Sequence, residues 1–306
     1  MTERIDFTSC PRLATRAYNG ANGKKLAVTF EEAVWLLKFP PNAAAKRNDL
    51  SYSNSCFSEH LGSTIFRMLG VDAQETRLGT FRNGREYVVC ACRDFTVPDC
   101  RLVDFCSVKN TVLDTGSGGT GTELSDVLEP LDQQQFLDPV LVRRRFWAMF
   151  VVDALLGNFD RHNGNWGFLV NDRTGEVSLA PVFDCGSCLL PQADENIMRR
   201  VLEDERELDA RIYTFPGSML KVDGRKINYA EYLASPADAG LSAALAVMRP
   251  RIAALDIAKI VSNVSYLTDL QQRFYTIYLS ARRDKLFGAR AGDGEGPSTD
   301  LKGSER

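Results

Sequence analysis

The most chemically distinctive stretch of this sequence is Gly157-Asn-Phe-Asp-Arg-His-Asn-Gly-Asn-Trp-Gly-Phe168. It holds one of only two histidines in the chain, and it places Asp160 and Asn165 close together after a long apolar segment. Charged and amide side chains are rarely buried without partners. The stretch is therefore either an ordinary polar turn or a site that binds an anion or a metal ion.

A third oxygen-bearing side chain, Asp184, is expected to approach this turn. Trp166–Val170 and Glu176–Leu179 have the pattern of two strands joined by a polar turn. A hairpin returns its second strand beside its first, so Asp184 should come near Asp160 and Asn165. Two carboxylates and an amide suit Mg²⁺, which takes few protein oxygens and completes its shell with water and phosphate. A carboxylate not bound to the metal can accept a hydroxyl proton, as phosphoryl transfer requires.

Partners for such chemistry occur in the N-terminal part, in a compatible order. Tyr18–Lys25 is a glycine- and asparagine-containing loop before a strand, where backbone N–H groups can approach phosphate oxygens. It is not a Walker A loop. Lys38 ends an apolar strand and must either extend to water or pair with an anion, and Glu59 lies in the next helix. A strand lysine and a helix glutamate hold nucleotide phosphates in kinases; an exposed lysine and a helix-start acid are the plainer alternatives.

The elements that position these residues can be read from local patterns. Leu26–Phe30 and Val34–Phe39 are β-rich, and Ser55–Leu69 has an apolar residue at every fourth position, as a helix does. Asn83-Gly84, between two β-rich runs, predicts a second hairpin. A buried helix is predicted from Asp138-Pro139 to Leu156, because its residues are apolar nearly all round.

The predicted fold is therefore α+β, with a β-rich N-terminal lobe and a mostly helical C-terminal lobe. We divide the chain into a nucleotide-binding lobe (1–106), a flexible segment (107–127), a helical lobe with the polar turn (128–287) and a disordered tail (288–306). Residues 195–211 and 228–286 are expected to be largely helical. Ile257 to Leu270 would mark one face of a single long final helix.

Composition excludes several classes of protein. The chain has 306 residues, 44% of them hydrophobic and 25% charged, which are globular values. A net charge of -3 disfavours direct nucleic-acid binding. No apolar run reaches the roughly 18 residues of a membrane span, and the N-terminus lacks an apolar signal core. We expect a cytoplasmic protein, with export by a route without a cleavable signal left open.

The eight cysteines include the pair Cys185-Gly-Ser-Cys188, which has the spacing of redox and zinc sites. No second pair with this spacing follows, and neither histidine is suitably placed to complete a zinc finger. Reduced, mostly buried thiols are the expected state.

Leu155–Asn165 and Leu179–Ser187 together resemble the HipA-like serine/threonine kinases, in particular the short, CtkA-type members that lack the extra N-terminal subdomain. The core Asp-Arg-His-x-x-Asn is also similar to that of phosphatidylinositol kinases, which share the wider protein-kinase-like fold. The resemblance covers most of residues 10–285 and is weakest in the C-terminal helices. It implies a two-lobed kinase fold that uses ATP and Mg²⁺.

The resemblance also implies roles for individual residues. Asp160 would be the catalytic base, and His162 would lie near the transferring phosphate. Asn165 and Asp184 would hold Mg²⁺. Lys38 would contact the nucleotide phosphates, and Glu59 would orient Lys38.

Two nucleotide-binding segments are implied as well. The phosphate loop would be residues 20–25, including Gly20, Ala21, Asn22, Gly23 and Lys24. The hinge that meets adenine through its backbone would be Cys90–Arg93, with Cys90, Cys92 and Arg93 as named contacts. The toxins of this family carry an autophosphorylated serine in or before the phosphate loop, whereas residues 18–25 here contain no Ser or Thr.

The expected activity is ATP- and Mg²⁺-dependent transfer of the γ-phosphate to a Ser or Thr hydroxyl of a protein, with autophosphorylation as a further expectation. Its partners would be a protein substrate and an antitoxin-like protein. Three alternatives remain open on the sequence: a lipid or small-molecule kinase on the same fold, a catalytically silent nucleotide-binding interaction module, and a globular protein whose polar turn is structural.

Overall fold

The structure, a computed structural model, describes residues 4–14, 24–40, 53–96, 99–112 and 119–288. Its N-terminal part is rich in strands and its C-terminal part is mostly helical, which confirms the predicted α+β fold. None of the helices formed by these residues is long and apolar enough to cross a membrane.

A five-stranded sheet forms the N-terminal part, in the order β1-β4-β5-β3-β2. Its strands are β1 Ile5–Asp6, β2 Lys25–Phe30, β3 Ala33–Lys38, β4 Thr76–Asn83 and β5 Arg85–Arg93. The β4–β5 hairpin turns at Gly84, which has a φ of 75°, as the Asn83-Gly84 pair predicts. All neighbouring pairs are antiparallel except β1 with β4.

The two faces of this sheet are covered differently. One face carries its own apolar cluster, which includes Trp35, Leu37 and Phe39. The other face packs against helix α1 (Ser55–Met68), and residues such as Leu36 belong to the main core that continues into the helical part. Because successive strand residues point to opposite faces, Lys38 emerges on the α1 side.

The helical part contains the elements that surround the polar turn. Helix α4 begins after the cap Asp138, whose side chain accepts a hydrogen bond from the Val140 N–H at 2.9 Å, and ends at Gly157 with a φ of 62°. These bounds confirm the predicted buried helix. The helices are α2 Phe105–Val112, α3 Leu124–Gln133, α4 Pro139–Leu156, α5 Glu195–Glu203, α6 Glu205–Asp209, α7 Tyr229–Ala234, α8 Ala239–Ala253, α9 Ile257–Ser262 and α10 Asp269–Phe287, with a π-helical turn at Ala210–Thr214.

The hairpin that follows the polar turn belongs to a three-stranded sheet. Its strands are β6 Cys100–Asp104, β7 Gly167–Asn171 and β8 Val177–Leu179, in that order. The predicted β7–β8 hairpin is confirmed, whereas β6 has no clear sequence signal because its pairing partner lies far along the chain. A small hairpin, β9 Lys221–Val222 with β10 Arg225–Lys226, follows later.

Two segments differ from the sequence-based expectation. Residues 107–127 include most of α2 and the start of α3, so the segment predicted to be flexible has helices at both ends; residues 113–118 lie outside the described part. The single final helix expected through Ile257–Leu270 is wrong, because the chain forms α9 and then starts α10 afresh. Thr268 and Gln271 form a capping box at that new start.

Candidate active site

A lysine between two acids lies at the centre of the candidate active site. Lys38, the last residue of β3, places its Nζ 2.9 Å from Glu59 Oε2 and 2.9 Å from Asp184 Oδ1. Glu59 projects from α1 and its side chain is 1% exposed. A Cβ at Gly186 would lie 3.2 Å from Glu59 Oε2, so the glycine two residues after Asp184 lets that segment approach closely.

Charge determines the protonation of this triplet. Burial alone would lower the pKa of Lys38, but the neighbouring charges of Asp184 and Glu59 outweigh it and hold the pKa well above the usual value. The Lys38 charge lowers the pKa of Asp184 to about 2, against the opposing effect of burial. Lys38 is therefore a cation and Asp184 an anion at neutral pH, as phosphate binding and metal binding require.

Arg161 ties the polar turn to the segment that carries Asp184. It is 7% exposed, and its Nη1 donates both to the Asn165 carbonyl oxygen at 2.9 Å and to the Phe183 carbonyl oxygen. A single guanidinium thus holds the residue before Asp184 beside Asn165. Asp184 itself has a φ of 58°, an uncommon left-handed conformation for a residue other than glycine.

Asp153 on α4 fixes Arg161 in turn. The Arg161 Nε lies 2.9 Å from Asp153 Oδ2, and Nη2 lies 3.2 Å from Asp153 Oδ1. Asn158 Nδ2 donates to the same Asp153 Oδ1 at 2.8 Å. Burial opposes the charge of Arg161, but the charge of Asp153 and its hydrogen bonds outweigh this effect and keep the pKa of Arg161 well above its usual value. The pair therefore anchors the loop to a core helix.

Hydrogen bonds within the loop fix Asp160 and Asn165. The Asp160 N–H donates to Asn158 Oδ1 at 3.1 Å, and Asn165 Nδ2 donates to the Asp160 carbonyl oxygen at 3.0 Å. Because Nδ2 is used in this way, Oδ1 is the atom of Asn165 that is left for a ligand. The predicted convergence of Asp160, Asn165 and Asp184 on one region is supported by these links.

The Asp160 carboxylate is suited to accept a proton. It is partly buried, and no hydrogen bond to its Oδ atoms is made by any residue within the described ranges. Burial raises its pKa, as does the charge of Asp184, whereas the charges of His162 and Arg161 lower it. A raised pKa brings a carboxylate closer to the value at which a general base is effective.

His162 is oriented by its own loop. Its Nδ1 accepts a hydrogen bond from the Gly164 N–H at 3.1 Å, so the proton of the neutral ring is on Nε2. A Cβ at Gly164 would lie 3.1 Å from the imidazole Cε1, which explains the small residue at this position. Nε2 of His162 is therefore a potential donor beside Asp160.

The two lysines at the end of the predicted phosphate loop, Lys24 and Lys25, lie on opposite faces of the sheet. Residues Gly20, Ala21, Asn22 and Gly23 lie outside the described part. Lys24 Nζ lies 5.4 Å from the centroid of the Phe39 ring, on the face away from Lys38. The prediction that the Lys24 backbone belongs to the phosphate loop stays a prediction. Lys25 pairs directly with Lys38 in the β2–β3 register. Burial and the Lys38 charge lower the pKa of Lys25, while the charge of Asp184 raises it.

The backbone of the predicted hinge is engaged elsewhere. Cys90 pairs with Lys38 of β3 and with Leu78 of β4, and Cys92 is likewise paired on both sides. The Arg93 N–H donates to the Glu75 carbonyl oxygen at 2.8 Å. A strand in the middle of a sheet uses its N–H and C=O groups in the ladder. The prediction that Cys90, Cys92 and Arg93 contact adenine through the backbone is therefore wrong.

Both thiols of that strand are buried beside the charged triplet. Cys92 Sγ lies 4.0 Å from Glu59 Oε1, and all eight cysteines are free, Cys185 and Cys188 among them. Burial raises the pKa of Cys56 to about 12 and that of Cys188 well above its usual value. Cys56 and Cys188 are therefore protonated packing residues.

Sequence reasoning assigned no role to two residues of this network, Asp153 and Arg161. An acid inside an apolar helix, followed by an arginine in the next loop, was an available signal for both, since a buried charge needs a partner. Within the described ranges no three His, Cys, Asp or Glu side chains cluster as metal ligands. Any metal here would rest on a carboxylate and an amide.

Known proteins share this architecture. The family described as HipA-like C-terminal domain matches residues 17–251. The serine/threonine-protein kinase CtkA of Helicobacter pylori strain J99 is 43% identical over 283 residues, which cover 92% of this chain and 86% of that protein. The crystal structure of a Helicobacter pylori proinflammatory kinase CtkA is 42% identical and superposes with a TM-score of 0.86 over 93% of this chain and 95% of the other. This chain therefore belongs to the HipA-like family, and it is a HipA-like kinase.

Proposed function

We propose that this kinase uses ATP with Mg²⁺ and phosphorylates Ser or Thr hydroxyls of a protein. The observation that carries the proposal is the ion pairing of Lys38 with both Glu59 and Asp184, next to a loop that presents Asp160. The serine/threonine-protein kinase CtkA, with 43% identity, supports the choice of acceptor.

The donor set fits a magnesium ion. Asn165 offers Oδ1, because its Nδ2 is bound to the Asp160 carbonyl oxygen, and Asp184 offers a charged carboxylate. Mg²⁺ commonly takes one or two carboxylates plus phosphate oxygens and water. When bound there, the ion would neutralise charge on the phosphates. Asn165 and Asp184 are therefore the residues that we propose as its ligands.

The nucleotide phosphates would be held by cations on the α1 side of the sheet. Lys38 is fixed by Glu59, whose side chain is 1% exposed, so the ammonium needs no reorientation when an anion arrives. Lys25, directly opposite on β2, adds a second positive charge to the same face. Fixed charges that meet developing charge in the transition state are the main source of catalysis in such sites.

Asp160 would accept the proton of the attacking hydroxyl. Its carboxylate is partly buried and its pKa is raised by that burial. His162, with its proton on Nε2, would donate to an oxygen of the transferring phosphate. Arg161 would act indirectly. Its guanidinium binds the carbonyl oxygens of Asn165 and Phe183 and so positions the two segments that carry the proposed metal ligands. The protein would contribute little covalent chemistry and would mainly position the reactants.

The test is incubation of the purified protein with labelled ATP and Mg²⁺, alone and with cell extract, followed by identification of labelled residues. We expect label on Ser or Thr of proteins and none with the Asp160→Asn variant. Label on a lipid or a metabolite, with proteins unlabelled, would replace the proposal with a kinase for that acceptor. Binding of Mg·ATP without any transfer would indicate a silent nucleotide-binding module.

Several expectations stay predictions. They are an antitoxin-like partner, autophosphorylation, a cytoplasmic location and the division of the chain at residues 106, 127 and 287. The phosphate loop at residues 20–25 also stays a prediction, and residues 20–23 of it lie outside the described part.

A further inference from the structure

A segment of the helical part lies directly beside the loop that carries Asp160. Within residues 213–229, the Tyr229 hydroxyl donates to the Asn158 carbonyl oxygen at 2.6 Å and is buried. The Phe215 ring centroid lies 5.7 Å from that of Phe159. The segment is thus anchored at the residues that immediately precede the proposed base.

The exposed end of this segment is the β9–β10 hairpin, and its charges are arranged at an energetic cost. Asp223 and Gly224 have φ values of 51° and 73°, which give a tight two-residue turn and a well-defined register. That register places Lys221 directly opposite Lys226. Like charges at directly opposed positions destabilise a strand pair. Lys221 also lies opposite Glu123 in a parallel bridge, but no ion pair between the described residues includes Lys221 or Lys226. An anion between them would remove the cost.

The hairpin belongs to the segment that contacts the loop of the proposed base through Tyr229 and Phe215. Burial raises the pKa of Asp160, and the charge of Lys226 is one of the neighbouring charges that lower it. Lys226 is exposed, and its Nζ lies 3.5 Å from the Met219 sulfur. A ligand that reaches Asp160 with its hydroxyl can therefore meet Lys226 with a neighbouring group.

Exposed aromatic rings complete the surface. Tyr213 is 44% exposed and Phe215 is 37% exposed, although large aromatic side chains are usually buried. They offer apolar area for the backbone and side chains of an extended peptide. The positive charge is local, since the whole chain has a net charge of -3.

We propose that this surface, Lys221 and Lys226 of the hairpin together with Tyr213 and Phe215, docks the protein substrate and selects acceptors with acidic residues beside the phosphorylated Ser or Thr. The inference rests on the proposed protein kinase activity and adds the class of acceptor sequence. A membrane surface fits less well, because Asp223 at the tip and Glu123, which accepts from the Gly224 N–H at 3.2 Å, repel an extended anionic surface.

The experiment compares three Ser-containing peptides that differ only in their flanks: acidic, neutral and basic. Wild type, the double variant Lys221→Glu/Lys226→Glu and the control Arg225→Glu are each assayed for kcat/KM on every peptide and for Mg·ATP affinity. Arg225 is the matched control, because it precedes Lys226 in β10 and points to the opposite face of the hairpin. Thermal melts establish that each variant is folded.

We expect wild type to favour the acidic over the basic peptide by about tenfold or more, and the double variant to lose or reverse this ratio. Arg225→Glu should keep the ratio, and Mg·ATP affinity should change by less than about twofold in the double variant, a change of about 0.4 kcal/mol or less. Each variant is judged by its ratio of kcat/KM between peptides, so an effect of the lost lysine charges on Asp160 that is common to all peptides cancels. Anisotropy of the labelled acidic peptide should show binding by wild type that weakens with salt.

Two results would overturn the inference while leaving the protein kinase intact: phosphorylation without preference for acidic flanks, or an equal effect of Arg225→Glu. If Mg·ATP binds but no Ser or Thr acceptor is labelled, the proposed function fails, and the inference that rests on it fails with it.

Discussion

Arg161 and Asp153 form a buried two-bond ion pair that joins the loop of the candidate active site to helix α4. Nε lies 2.9 Å from Oδ2 and Nη2 lies 3.2 Å from Oδ1, and the two side chains are 6% and 1% exposed. The remaining nitrogen, Nη1, binds the carbonyl oxygens of Asn165 and Phe183. The geometry of both proposed metal ligands therefore depends on a residue that touches neither ligand's side chain.

Breaking this pair should cost both stability and activity. Asp153→Asn leaves the buried Arg161 charge without its counter-ion, so the free energy of unfolding should fall by about 3–5 kcal/mol. Urea denaturation measures this loss. The control is Glu86→Ala, which removes an exposed partner of Arg82 and should cost less than about 1 kcal/mol. Equal stability of wild type and Asp153→Asn would show that the pair contributes nothing.

Asp160→Asn should stop phosphate transfer and spare nucleotide binding. The amide cannot accept the hydroxyl proton, and loss of a general base typically lowers kcat by about 10²–10⁴-fold. Single-turnover transfer and calorimetric titration with Mg·ATP separate the two effects. Asp172→Asn, at an exposed turn that pairs with Arg101, is the control and should behave as wild type. Retained turnover in Asp160→Asn would remove this residue from the role of base.

Asp184→Ala should abolish the dependence of nucleotide affinity on magnesium. The variant removes a proposed ligand that carries a full negative charge, since its pKa is about 2. Calorimetry with ATP, at several Mg²⁺ concentrations and with EDTA, gives the comparison. Unchanged Mg·ATP affinity would contradict the assignment of Asp184 as a ligand.

Two adjacent lysines offer a matched test of which face of the sheet binds the phosphates. Lys25→Met should weaken Mg·ATP binding by about tenfold, about 1.4 kcal/mol, because Lys25 lies on the same face as Lys38. Lys24→Met should have little effect, because the Lys24 side chain lies over Phe39 on the other face. A larger loss with Lys24→Met would reverse the assignment of the faces.

His60 predicts a pH dependence of stability. Burial, with a smaller effect of Arg67, lowers its folded-state pKa to about 4, from about 6.5 when unfolded. The neutral ring contacts the Thr76 hydroxyl at 3.0 Å. Its contribution is therefore complete above about pH 6.5 and is lost as the pH falls towards 4, by up to about 3 kcal/mol.

The matched variant is His60→Gln, which can still bond Thr76 but does not titrate. Urea denaturation of both proteins at pH 7.5 and pH 5 isolates the histidine from other titrating groups. Wild type should lose more stability than His60→Gln between these values. Parallel losses would show that His60 titrates normally in the folded state.

Local patterns in the sequence determined most of the elements. The predicted α1, the β4–β5 hairpin, α4 with its Asp138 cap and Gly157 end, and the β7–β8 hairpin all rest on residues that are close in the chain. Side-chain periodicity, helix caps and positive-φ turns act over a few residues, so they can be read without tertiary structure. The capping box at Thr268 was also a local signal, and it marks the start of α10 that the apolar periodicity obscured.

What tertiary structure alone decided is which side chains face one another. The sequence shows Lys24 and Lys25 as neighbours, but only the β2–β3 register puts Lys25 opposite Lys38. Cys90 lies within the sheet ladder rather than at its end, because β3 and β4 both pair with β5. The bond from Arg161 to Phe183 likewise joins residues far apart in the chain. Strand register and buried ion pairs depend on long-range packing, and no short window of sequence contains that information.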